Sequence, residues 1–373
     1  MSCRGAFRRG RLHRLTPTCH ERAPLPVNRR AMRPIAPRPL RPLRWEDDGL
    51  VYVDQRRLPG ELVWARAMSV PDVLAALGAK AVAGTRHRDL FTAFGAVLAR
   101  RTCAPGGAFD DAVAALRAAS PPSESASIER VLAAGSGNEL AAALDVVADN
   151  IALDRAIAEH GSALLPADGA VLTIGSSGAL STGGWGTAAG AILTAHAAGK
   201  RVHAYVSETR PLTTGLRLTA FECQHAGVRC TVVPDGAAAV LMRTQRIAAV
   251  LVAATGAAAN GDVRGELGTY ALAIAAAHHR VPFYALLPRA AIDRSAQTGD
   301  ALPLASLAPG QRWPPSADDP PGREIFAALE DRTPGNLIAG IITEYGVARP
   351  PYDDALASLA TRPAFALVRR APA

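Results

Sequence analysis

The sequence predicts an α/β protein, with a mainly helical N-terminal domain followed by a parallel-sheet domain. Three observations lead there. Residues 70–160 carry helical spacing almost throughout. Beyond about residue 165, short apolar runs alternate with helical segments. Near-continuous apolar strands separated by helices are buried on both faces, which is the pattern of a parallel sheet. Finally, 49% of the 373 residues are hydrophobic and 20% are charged. That supports a sizeable core, suits two domains of roughly 100–200 residues, and excludes disorder of the whole chain.

Residues 1–44 read as a basic leader. They hold seven prolines, 12 arginines and one acid, Glu21, so this segment carries +11 of an overall +8 and the remaining 329 residues carry −3. With no helical or strand period it cannot bury a face and is expected to be a disordered, solvated tail, with Met32 an alternative start. It lacks the apolar region of a secretory signal. Aromatics that could stack on bases are nearly absent, so no nucleic-acid partner is expected.

The helical domain is placed at 45–163. Residues 50–54 alternate like a short strand, ended by Arg57-Leu58-Pro59. Asp72 is expected to cap a helix running through 79; further helices are expected over 92–101, 108–119, 128–134 and 140–160. Ser120-Pro121-Pro122-Ser123 breaks the series, and Gly135 stops its penultimate member. The sheet domain is placed at 164–348, with a tail over 349–373. Its strands are expected at 171–175, 202–208, 229–235, 247–255 and 282–288, and its helices at 185–198, 214–225, 236–244 and 267–279. The longest apolar run, 247–259, is too short to span a bilayer and is broken by Gly256, so no membrane partner is expected. Five cysteines without a CxxC pair predict neither a zinc site nor a disulfide framework, and suit a reducing, cytoplasmic setting. No cofactor and no metal are expected.

In open parallel sheets the ligand crevice lies outside the carboxyl ends of the strands. Those ends are Gly175, Glu208, Asp235, Thr255 and Pro288. The loop 175–187 holds five glycines and five hydroxyl residues ahead of a helix. Exposed N–H groups in such a loop attract phosphate or another anion; a purely structural glycine turn fits equally. No Walker signature is present. Glu208 stands two residues from Arg210, an arrangement that orients a polyol or forms a local ion pair. Asn260-Gly261-Asp262 favours a turn, with Asp262 either facing the crevice or capping that turn. The candidate ligand residues are Ser176, Ser177, Thr182, Glu208, Arg210, Thr214, Asn260 and Asp262, and the ligand class is a sugar phosphate or a nucleoside-like molecule.

Several motifs occur in order: Asp54-Gln55 with Leu58-Pro59; Gly178-Ala179-Leu180 with Thr182-Gly183-Gly184-Trp185-Gly186-Thr187; Glu208-Thr209-Arg210-Pro211; Arg217-Leu218-Thr219-Ala220; Asn260-Gly261-Asp262-Val263; and Gly268-Thr269-Tyr270. In these the chain resembles the methylthioribose-1-phosphate isomerase family, relatives of the regulatory subunits of initiation factor 2B. The resemblance implies a Rossmann-like C-terminal domain, a homodimer, and conversion of a furanose 1-phosphate into an open-chain ketose 1-phosphate in methionine salvage. The departures bear on chemistry. The family's catalytic cysteine falls on Gly175 and its proton-donating aspartate on Thr255. Its substrate-loop Arg-Gly-Ala-Pro has become Ala83-Gly84-Thr85-Arg86, and the lysine before Gly-Thr-Tyr is Glu266. At an effective dielectric of about 20, one charge at about 4 Å is worth roughly 4 kcal/mol, so that reversal acts strongly against an anion. The expectation is a protein that keeps fold and crevice but lacks the isomerase chemistry and acts in binding or interaction. The alternative is an active aldose–ketose isomerase, or a related sugar-phosphate or nucleoside enzyme, with relocated groups. Arg86 and the His87-Arg88 segment are candidates to have entered the vacated anion site.

Overall fold

Among the described residues a three-stranded antiparallel sheet comes first: β1 (Leu43–Glu46), β2 (Gly49–Asp54) and β3 (Val63–Ala67), in that order. The structure is a computed structural model and describes residues 40–120, 126–306, 328–363 and 365. Most of the basic leader, Pro121-Pro122-Ser123 and the end of the tail lie outside these residues. Asp47 and Asp48 join β1 to β2 with positive φ at both positions, the backbone that matches the twist of a two-residue hairpin. Only β2, wholly buried, announces itself in the sequence.

Five helices follow: α1 (Val70–Gly78), α2 (Thr85–Thr102), α3 (Gly107–Ala119), α4 (Ala126–Ala133) and α5 (Glu139–Ala163). Ser69, not Asp72, caps α1. Asp72 completes a capping box by accepting the Ser69 N–H at 3.0 Å, because a Ser followed three residues later by an acid satisfies two end donors reciprocally. Helix α2 starts earlier than its apolar spacing suggests, and its middle is buried on nearly every side through Phe91, Phe94 and Leu98.

The second layer begins with β4 (Asp168–Thr173), α6 (Ala179–Thr182), α7 (Ala188–Ala197) and β5 (Arg201–Ser207). A π-turn at Gly215–Thr219 leads into α8 (Ala220–His225), then β6 (Arg229–Val233), α9 (Ala238–Thr244), β7 (Ile247–Ala258) and β8 (Val263–Glu266). Next come α10 (Thr269–His279), β9 (Phe283–Leu286), β10 (Ile292–Asp293), β11 (Glu330–Thr333), β12 (Gly340–Thr343), β13 (Gly346–Ala348) and α11 (Tyr352–Ala360). The main path runs β13-β12-β9-β7-β4-β5-β6. It is parallel from β12 to β6, with β13 antiparallel at one edge. That is the doubly wound order, and its direction reverses between β4 and β7, where such sheets hold their ligands.

The alternation of strand side chains builds two cores. Leu172, Val250 and Val252 pack with Leu272 of α10 and Leu356 of α11. Val171 and Leu251 pack on the other face with Ile157 of α5, Ile192 of α7 and Cys223 of α8.

Three expectations need correction. The strand expected to end at Thr255 continues to Ala258, and Thr255 lies inside it at a register shift between Ala254 and Gly256. The helix expected from 185 begins at Ala188, because α6 and a turn with Gly183 at φ 81° and Gly186 at φ 92° come first. The strands β1, β3, β8, β10, β11, β12 and β13 have no counterpart in the sequence reading.

Leu172 is fully buried two residues before Ile174 and the glycine loop. Leu172→Ala should cost about 2–5 kcal/mol, as deletions of buried leucine do. In urea unfolding this should lower the midpoint at unchanged slope.

Candidate functional site

At the switch point the chain leaves β4 through Gly175, at φ 81°. Its N–H donates to Thr209 Oγ1 at 2.9 Å, and its carbonyl accepts from Thr219 Oγ1 at 2.7 Å. A side chain here would be strained by that φ. It would also meet a neighbour, since a Cβ at 175 would stand 2.8 Å from Glu266 Oε1.

Glu266 arrives there by a hairpin. The Asn260-Gly261 turn, with Gly261 at φ 85°, folds β8 back antiparallel on the end of β7. Its last residue is thereby carried over the carboxyl end of β4. Glu266 Oε1 accepts the Ser176 N–H at 2.7 Å, and Oε2 accepts the Thr214 hydroxyl at 2.5 Å. Burial pushes this carboxyl above its ordinary value. The bonds from Thr214 and Ser176 pull it back, and the charges of Glu330 and Asp235 add to the rise.

Other donors of the loop are also met from within. Glu222, 3% exposed, accepts the N–H groups of Ala179 at 2.6 Å and Leu180 at 3.2 Å at the start of α6. Burial raises its carboxyl to about 7 against those two bonds. A Cβ at Gly178 would collide with this carboxylate. Asp154 accepts the Gly186 N–H at 3.0 Å and pairs with Arg86. At the next strand end, Asp235 accepts the N–H groups of Thr209 at 2.9 Å and Arg210 at 2.7 Å. Anion-facing backbone donors are the expected use of a glycine loop at a helix start; here carboxylates of the chain itself take several of them.

The candidate ligand residues separate accordingly. Ser176 and Thr214 stand with Gly175 and Glu266 in one cluster, and the Ser176 Oγ has neither exposure nor a hydrogen-bond partner. Ser177 is buried, and its Oγ accepts the Ala189 N–H of α7 at 3.0 Å. Thr182 is buried and accepts the Gly186 N–H at 3.1 Å. Glu208 is half-buried at the end of β5, with its backbone N–H on Val233 O. Asn260 accepts the Asp262 N–H and donates to its carboxylate. Asp262 in turn receives the N–H groups of Gly299 and Gly335, both at 2.8 Å. Burial alone would raise its carboxyl; those bonds and the Asn260 amide bring it below the ordinary value. Thr255 is exposed, and its hydroxyl donates to Glu330 at 2.8 Å and accepts from Arg264 Nε at 2.9 Å.

The segment offered as a candidate for the anion site is engaged by groups of the protein itself, two of them on or beside the glycine loop. Arg86 pairs with Asp154, and Arg88 donates to Ala119 O at 2.9 Å. His87 is fully buried against Leu180 O at 2.7 Å and Gln55, and burial holds its imidazole at about 4. The sequence reading missed Glu222 and Asp154 and took Glu266 only as a reversed charge. The signal for Glu266 was available: an Asn-Gly turn after a long apolar strand implies a hairpin, which returns residues 263–266 to the strand end.

The model of the initiation factor 2 subunit family matches residues 113–350. Methylthioribose-1-phosphate isomerase of Parasynechococcus marenigrum (strain WH8102) is 38% identical over 335 residues, covering 85% of this chain and 96% of that one. The chain belongs to this family. Its fold is similar to that of the 5-methylthioribose 1-phosphate isomerase of Pyrococcus horikoshii OT3, at a TM-score of 0.78 and 25% identity, over 87% of this chain and 96% of that one. It is likewise similar to the translation initiation factor eIF-2B delta subunit of A. fulgidus, at 0.77 and 29%, over 85% and 99%. Gly175 and Glu266, where the resemblance puts the family's cysteine and lysine, stand against one another in the fold.

Glu222 gives a pH signature with a defined sign. Its native value of about 7 lies above the ordinary 4.5, so the folded state binds the extra proton between these values. That contribution to stability is complete below about pH 4.5 and is lost as pH rises through about 7. Thermal melts of the wild type and Glu222→Gln should therefore show the wild type's relative stability falling between about pH 4.5 and 8. A constant difference across that window would remove the assignment.

Proposed function

We propose that this chain keeps the family's fold and crevice as a binding protein and does not carry out aldose–ketose isomerisation. One observation carries the reading: the Glu266 carboxylate is held by Ser176 and Thr214 where a side chain at Gly175 would begin. Isomerisation moves a proton or hydride between C1 and C2 of the sugar, with help from groups that titrate near working pH, worth roughly 10²–10⁴-fold. Gly175 offers no side chain. The Thr255 hydroxyl does not titrate in that range, and it is tied to Glu330 and Arg264.

The same carboxylate takes the Ser176 N–H of the glycine loop, a donor that a phosphate would otherwise meet. The reading therefore favours a sugar-like polyol or nucleoside, contacted by Thr214 and Glu208, with Arg210 at the rim. The homodimer that the resemblance implies belongs to this reading, together with the cytoplasmic setting that suits the cysteines and the division at about residue 163 where the sequence pattern changes.

A second reading has one observation in its favour. A carboxyl raised by burial at the switch point is a possible acid–base group, so Glu266 itself would be the relocated catalyst of an active isomerase.

Incubation with methylthioribose 1-phosphate, followed by NMR of the sugar carbons, separates the two. No ketose should form on wild-type protein. Turnover that Glu266→Gln abolishes would sink the first reading and establish the second. In thermal shift, adenosine or ribose should stabilise the protein, by about 2.7 kcal/mol at 100 times Kd, while ribose 5-phosphate leaves it unmoved.

A further inference from the structure

Helix α8 and the edge strand β6 each carry a cysteine. Cys223 lies in the last turn of α8 and is fully buried; Cys230 is the second residue of β6 and is partly exposed. A tight reversal joins the two elements. Ala226 N–H bonds Glu222 O at 3.0 Å, Gly227 N–H bonds Gln224 O at 3.0 Å, and Val228 N–H bonds Cys223 O at 2.8 Å. Gly227 takes φ 76°, the left-handed conformation that ends helices and turns the chain back. The reversal lays Cys230 against the same core as Cys223, between the sheet and α8. Cys230 packs against the core cluster that holds Cys223, and its neighbourhood, with burial, pushes the Cys223 thiol up. Neither thiol takes part in the crevice.

We propose that Cys223 and Cys230 form a redox-active thiol pair, which a small disulfide such as oxidised glutathione converts to an intramolecular disulfide that ties α8 to β6. The partly exposed Cys230 thiolate attacks one sulfur of the small disulfide, expelling one thiolate and leaving a mixed disulfide. The expelled thiolate takes the Cys223 proton, and the Cys223 sulfur then attacks the Cys230 sulfur and displaces the second thiolate, which is protonated from water. Two S–H bonds are lost, one S–S bond forms, and the two electrons leave on two molecules of small thiol. The device reaches the crevice through the residue beside Cys223: Glu222 holds the N–H groups of Ala179 and Leu180. Anchoring the end of α8 stiffens the carboxylate that organises the glycine loop.

The test uses the full chain, incubated folded with oxidised glutathione, alkylated and digested with trypsin without reduction. Cleavage after Arg217, Arg229 and Arg243 places the two cysteines in separate peptides. Those peptides should be recovered joined, two mass units below their sum. Cys223→Ser should instead trap glutathione on Cys230, whereas Cys230→Ser should leave Cys223 unmodified. In the oxidised protein, amide exchange at Ala179 and Leu180 should slow. Separate peptides, both alkylated at cysteine, or a cross-link that forms only after denaturation, would overturn the pairing. Unchanged exchange at Ala179 and Leu180 would overturn the link to the loop.

Discussion

A buried carboxylate must be hydrogen-bonded, and this requirement organises the switch point. Desolvating an ionised carboxyl is costly unless donors compensate. Glu266 is compensated by the Ser176 N–H and the Thr214 hydroxyl. Both donors can reach it only because position 175 has no side chain, since a Cβ there would press on the same carboxylate. Gly175 and Glu266 are therefore structurally coupled: what one position can hold depends on the other. Residues that share a contact do not act additively. Restoring a side chain at 175 without moving Glu266 would create a collision and a stranded charge together.

The delivery of Glu266 depends on a part of the chain that resembles a ligand motif. Asn260 and Asp262 bond to each other, and Asp262 clamps Gly299 and Gly335. Gly261 lies so close under the Tyr352 ring that a Cβ would collide with it. These residues fix where the β7–β8 hairpin turns, and hence how far along the sheet Glu266 lands. Their chemistry is that of a brace: the Asp262 carboxyl accepts backbone N–H groups from two distant segments.

The parallel sheet was legible because its strands are apolar on both faces. Val250, Leu251 and Val252 are all fully buried, and a run of that kind flanked by helices has few other fates. The crevice followed from topology alone. Strands of two to four residues, such as β8, β10 and β11, with partly exposed positions, carry no such pattern, so the antiparallel addition that carries Glu266 was invisible as a strand. The hydroxyls of the loop were legible as hydroxyls but not by partner. Ser177 and Thr182 have the residue types of ligand contacts, yet they bond to Ala189 and Gly186. The carboxylates that answer the loop's other donors come from α5 and α8, 32 and 43 positions away in the chain, and no local pattern links them.

A glycine-rich loop is usually taken as a sign of an external anion, because bare N–H groups at a helix start are unsatisfied donors. The inference fails when the protein supplies its own anions, and here two kinds are present. Glu222 and Asp154 hold α6 and the turn before α7; they act on the scaffold and would be needed whatever the crevice binds. Glu266 differs, because it stands at the switch point itself, between the ends of β4 and β7. The glycines therefore report the fold, through the close approach of Glu222 to Gly178 and of Glu266 to Gly175. Under the proposed function, the carboxylate at 266 is the one that bears on the ligand, because it takes a loop N–H that a phosphate would otherwise meet.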